Sequence, residues 1–163
     1  MPEFENPPAT VDVPSARVTR IVAVDARRSI VWRCLTEPEL LARWLGDIAA
    51  FPEGVVAGAN GRFAWTGEVV LAARVLALEP EERFVFDWSE GILSDRASTV
   101  EVTLRDTGAG PKHGTQVHLV EHGFPLEGDD TARRESLRAL AAGWTVELDE
   151  LVDLAEHLEA AAN

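Results

Sequence analysis

Residues 29–47 read SIVWRCLTEPELLARWLGD, and the folding of this stretch decides how the chain on either side is arranged. Ile30, Val31, Cys34 and Leu35 recur at helical spacing, which predicts a short first helix. Thr36, followed three residues later by Glu39, reads as a capping box, with Pro38 in the first turn where a missing N–H costs nothing. A second short helix follows, with Leu40, Leu41, Trp44 and Leu45 as its apolar face and Gly46 as its stop. Two of the chain's five tryptophans, Trp32 and Trp44, stand on either side of the break. Trp32 reads as core. Trp44, next to a glycine-rich segment, reads as a residue at the mouth of a cavity.

Working outward, RVTRIVAVD (17–25) is rich in β-branched residues and predicts a strand. Residues 1–16 hold four of the nine prolines and read as a flexible tail. The segment 46–60 is loop-like, and after it come GRFAW, EVVLAARVLAL, RFVFDW, STVEVTLRD and GTQVHLVEH, five short alternating runs. Phe84, Phe86 and Trp88 share one face of their strand, as do Val100, Val102 and Leu104 of theirs. The connections are short, so the sheet is expected to be antiparallel. Residues 131–158 carry Leu137, Leu140, Ala141, Trp144, Leu148, Leu151, Ala155 and Leu158 on one stripe, a helix about 40 Å long. Gly143 in its middle suggests close packing. The expected architecture is α+β of the helix-grip kind: a curved antiparallel sheet of about six strands around a long C-terminal helix, with two short helices after the first strand. The domain reading is a tail over 1–16 and a single domain over 17–160.

The chain of 163 residues is long enough for one domain with a substantial core. Its net charge of -13 argues against nucleic acid and anionic membranes as partners, which need clustered Lys and Arg. No apolar run is long enough to span a bilayer, and the acidic, proline-rich start does not read as a signal peptide. A single cysteine, Cys34, allows no internal disulfide and suits a reducing compartment, so a cytoplasmic location is expected.

Four segments carry a resemblance. V-W-x-x-L-T-E-P-E-L-L-x-x-W (31–44), L-E-P-E-E-R-F-V-F-D-W (78–88), G-T-Q-V-H-L-V-E-H-G-F (114–124) and G-W-T-V-E-L-D-E-L (143–151) occur in this order. Together they resemble the activator of heat-shock-protein-90 ATPase homologues, within the START-like (SRPBCC) superfamily, over about residues 17–158. The resemblance implies a helix-grip fold with a cavity between sheet and long helix, in a superfamily of lipid carriers, aromatase/cyclases and resistance proteins. Stand-alone bacterial members are the most similar in length, and the enediyne self-resistance proteins share the GW long helix. Eukaryotic chaperone activators of this family carry a further N-terminal domain where this sequence has 16 residues, which weakens the expectation of chaperone activation.

Candidate chemistry is sparse. There is no G-x-S-x-G, and Cys34 falls on the apolar side of the first helix, as a structural thiol would. His118 and His122 on a strand stand about 13 Å apart. With His113 in a turn and His157 at a helix end, no metal site is expected. No cofactor motif is present. Glu121 shares strand phase with Val117 and Leu119, so its carboxyl is a candidate acid/base or ligand anchor with a raised pKa. The expected cavity lining is Trp44, Phe63, Trp65, Phe84, Phe86, Trp88, Leu104, Leu119, Glu121, Leu140 and Trp144. With no tyrosine in the chain, such a pocket would hold its ligand by shape and stacking. Three functions follow as expectations. The first is binding of a hydrophobic, polycyclic or polyketide-like molecule for transport, sequestration or self-resistance. The others are a polyketide cyclase or hydrolase using Glu121, and a chaperone-activating partner module.

Overall fold

In the computed structural model, which describes residues 5–65, 70–90, 97–107, 114–124 and 128–162, the alternating runs pair into one antiparallel sheet. Its strands are β1 (Thr10–Asp12), β2 (Arg17–Val24), β3 (Ile48–Ala50), β4 (Asn60–Ala64), β5 (Val70–Glu79), β6 (Arg83–Glu90), β7 (Ser98–Asp106) and β8 (Thr115–His122). They lie in the order β1-β2-β8-β7-β6-β5-β4-β3. Between β2 and β3 the chain forms α1 (Arg28–Thr36) and α2 (Pro38–Leu41), and after β8 it forms the long helix α3 (Asp130–Ala162).

Period two decides which side of each strand is covered. Val18, Val22 and Val24 of β2, Val117 and Leu119 of β8, Val100, Val102 and Leu104 of β7, and Phe84, Phe86 and Trp88 of β6 are all buried. Facing them, α3 presents Leu137, Ala141, Trp144, Leu148, Leu151 and Ala155. The backbone of α3 runs closest to β2 and α1. Farther strands are therefore reached by large side chains, and aromatic rings of β4 and β6 extend into the wedge between helix and sheet.

Among the described residues the sheet has eight strands where the sequence predicts about six. Both additional strands are three residues long and sit at the two margins. β3 falls within the expected loop 46–60, and its IAA sequence has little intrinsic strand preference; pairing with β4 makes it a strand. β1 falls within the expected flexible tail, whose residues from 5 onward lie along β2. The Asn6 side-chain amide donates to the Ala23 carbonyl and accepts from its N–H. Buried Arg20 is the hook: its guanidinium donates to the carbonyls of Pro7 (2.9 Å) and Thr145 (2.7 Å) and to the Asp149 carboxylate (2.7 Å). It joins the N-terminal segment, β2 and α3.

The opening stretch folds as two short helices, but not through a capping box. Thr36 is still within α1, where its hydroxyl donates to the Trp32 carbonyl at 2.9 Å. Glu37 occupies the cap position of α2 without a side-chain cap bond, and Pro38 begins the helix. That proline has a structural cost. A helical N–H at position 38 would serve the Cys34 carbonyl, and proline has none. The indole N–H of Trp44 supplies the missing donor, at 2.8 Å from the Cys34 oxygen. Trp44 is 2 % exposed. It is a peg between α1 and the turn after α2, not a wall at an opening. Gly46 then ends the segment at φ +80, with the Ala64 carbonyl 3.0 Å from where a Cβ would lie, so a side chain there would be strained in both backbone and packing.

Gly143 does not serve close packing. It is exposed, and a Cβ there would meet nothing within 4 Å. Gly143→Ala should therefore stabilise the protein by about 0.5–1 kcal/mol through helix propensity and unfolded-chain entropy, read as a raised midpoint in denaturant unfolding. Trp44→Phe keeps the ring but orphans the Cys34 carbonyl. It should cost about 1–3 kcal/mol, measured in the same unfolding curves.

Candidate functional site

The inner-face series of β8 runs Val117, Leu119, Glu121, so strand phase alone delivers a carboxyl into the apolar interior. In the sheet Glu121 lies between Val100 of β7 and Val18 of β2, and it is 1 % exposed. Three donors converge on it. Trp88 Nε1 reaches Oε2 at 2.7 Å, Ser98 Oγ reaches the same oxygen at 2.5 Å, and Trp144 Nε1 reaches Oε1 at 2.7 Å. Burial pushes the carboxyl above its ordinary pKa, while the bonds from Ser98, Trp88 and Trp144 pull it back down.

Around this group the aromatic rings form a continuous row. The Trp88 and Trp144 rings are stacked, with centroids 5.6 Å apart and planes 22° from parallel. Trp65 meets Trp88 edge-on at 6.0 Å, and Phe63 and Phe86 meet it at 5.6 Å and 5.2 Å. Phe84 extends the row beyond Phe86 at 5.2 Å. Strands β4, which leads into Trp65, β6 with Trp88 and β8 with Glu121 all finish at the same end of the sheet, so the indole N–H groups and the Glu121 carboxyl gather there.

A second carboxyl borders the row. Glu147, one turn beyond Trp144 on α3, accepts from Trp65 Nε1 at 3.2 Å. Burial raises its pKa to about 7; the Trp65 and Gly46 N–H groups oppose that rise, and nearby Glu150 and Asp47 add to it. Together Glu121 and Glu147 accept the N–H of all three indoles in the row.

The structure thus brings together Phe63, Trp65, Phe84, Phe86, Trp88, Glu121 and Trp144 of the expected lining. Leu119 is buried one inward position before Glu121. Leu104 lies opposite Val117, toward the other end of the sheet, and Leu140 is half-buried one turn before Trp144 on α3. Trp44 is spent on Cys34, as described. The Cys34 thiol is fully buried and pushed up to about 11, chiefly by burial. His118 and His122 lie on the opposite face of β8 from Glu121, His157 lies on α3, and His113 lies outside the described residues. Among the described residues no cluster of His, Cys, Asp and Glu could hold a metal ion, and no helix is long and apolar enough to cross a membrane.

Two polar members of the site were not expected from sequence. Ser98 was legible, because it opens β7 in phase with Val100 and Val102. Glu147 gave no such sign: it sits on a mixed helix face, and its partner Trp65 is 82 residues away.

Residues 25–156 match the family model described as Activator of Hsp90 ATPase homolog 1-like protein. The chain belongs to this family. Compared by sequence with curated proteins, it finds no match. Among solved structures, protein MLL2253 from Mesorhizobium loti is 24% identical with a TM-score of 0.68, over 85% of this chain and 97% of that one. DynU16, from the dynemicin biosynthetic locus, is 24% identical with a TM-score of 0.70, over 90% of this chain and 49% of its own. The Aha1 dimer from Colwellia psychrerythraea is 16% identical with a TM-score of 0.68, over 86% and 96%. At these identities the likeness is one of fold.

Glu147 gives this family member a pH signature. Because its carboxyl is raised to about 7, the folded protein binds that proton more tightly than the unfolded chain does. Stability should fall as pH rises from the ordinary carboxylate range to about 7, and the loss is complete above that. Glu147→Gln removes the ionisation. Thermal melts should show it matching the unmodified protein near pH 5 and exceeding it at pH 8.

Proposed function

We propose that the protein binds a hydrophobic, polycyclic or polyketide-like small molecule in the wedge between the sheet and α3, as a carrier or a sequestering protein. The observation that carries this reading is the indole row around Glu121: stacked and edge-on rings offer flat apolar contact, and one buried carboxyl gives the ligand a single orienting polar point. The family's fold supports it, as does the structural likeness to DynU16 of the dynemicin biosynthetic locus. Binding is favoured over turnover because, among the described residues, the groups hydrogen-bonded to Glu121 are two indoles and one hydroxyl. None of these is itself an acid or base that titrates near neutral pH, so none completes an acid/base pair with Glu121.

The test is a titration of intrinsic tryptophan emission with flat polycyclic aromatics and with long-chain lipids. Saturable quenching by the polycyclic compounds is expected, with affinity about tenfold weaker in Trp144→Leu, which removes one stacking face. A flat response to every compound overturns the proposal.

A further inference from the structure

We infer that the ligand is a hydrophobic cation: an amine or quaternary ammonium on an apolar body, seated against the Trp65–Trp88–Trp144 row between Glu121 and Glu147. This rests on the reading that the wedge holds a small molecule, and adds the ligand's chemical class.

Three observations converge on it. First, all three indoles of the row give their N–H to a carboxyl: Trp88 and Trp144 to Glu121, and Trp65 to Glu147. An indole is attractive to a cation through the negative face of its π system. Donating its N–H to a carboxyl oxygen pushes electron density back into the ring, which deepens that face.

Second, neither carboxyl has a cationic partner among the described residues. The arginines that form ion pairs, Arg20, Arg27, Arg28, Arg33 and Arg83, are taken up by other acids. Around Glu147 the nearby charges are the like charges of Glu150 and Asp47, and the His122 that acts on Glu121 lies on the opposite face of β8. A buried carboxylate without a counter-charge is unfavourable; it is relieved either by taking up a proton or by a paired cation, and a cationic ligand would supply the second. If the indoles needed only acceptors, backbone carbonyls or a neutral amide would serve as well. Two acids bordering one aromatic row suit a ligand that brings the positive charge itself.

Third, the net charge of -13 gives the whole molecule a field that attracts cations and repels anions.

The test compares two probes of one shape by isothermal titration: an anthracenylmethyl trimethylammonium salt and its neutral isostere, with carbon in place of nitrogen. The cation is expected to bind about tenfold more tightly than the isostere. Glu121→Gln and Glu147→Gln should each lower that preference severalfold. Glu147 lies at the margin of the wedge, so its variant reports even if Glu121→Gln does not fold. Equal binding of the two probes, or tighter binding of the isostere, overturns the cation class and leaves the small-molecule reading standing. Failure of both probes to bind overturns the cation class; the small-molecule reading falls with it only if the tryptophan-emission titration is also flat for every compound.

Discussion

The carboxyl of Glu121 must be satisfied without water, and much of the architecture is arranged around that requirement. Its three donors come from three different elements: Trp88 from β6, Ser98 from β7 and Trp144 from α3. Hydrogen bonds to a charged group contribute roughly 1.5–3 kcal/mol each, and removing the carboxyl from water costs several kcal/mol. The net gain is small, so the group acts more as a constraint than as a source of stability. Rotating α3 about its axis, or sliding it along β8, would pull Trp144 away and leave a buried acceptor short of a donor. The long helix is thereby held in one register over the sheet.

The same logic operates at the start of the domain. Pro38 interrupts the chain between α1 and α2 and leaves one carbonyl unserved; Trp44 answers it from six residues downstream. Arg20 answers two carbonyls and a carboxylate from a strand that is otherwise apolar on its inner face. Each case pairs a polar demand set by the backbone with one large side chain that fits it. These side chains fix how separate elements meet, a task apolar packing performs with less specificity.

The fold was legible wherever burial writes a period into the sequence. The inward residues of β6, β7 and β8 and the stripe on α3 follow directly from spacing, and the inward position of Glu121 came with them. What spacing could not reveal was anything decided by tertiary pairing. β1 and β3 are strands only because a neighbour completes them. The threonine and glutamate of the expected capping box fit the pattern, but Thr36 remained in the preceding helix and bonded backward. Trp44 looked like a cavity residue because sequence shows that a tryptophan is near a loop, not which carbonyl lacks a donor. Glu147 was invisible for the same reason: its meaning depends on Trp65, far away along the chain.

The margins of the sheet have a consequence for the protein in a crowded solution. An open sheet presents two rows of unpaired backbone groups, each a template on which another extended chain could add. Here the margins are β1 and β3, each only three residues long, whereas the interior strands β5 to β8 run eight to ten residues. A foreign strand can therefore gain few ladder bonds at either side. The two strands that sequence periodicity missed shield the longer, more apolar strands between them from strand-by-strand aggregation.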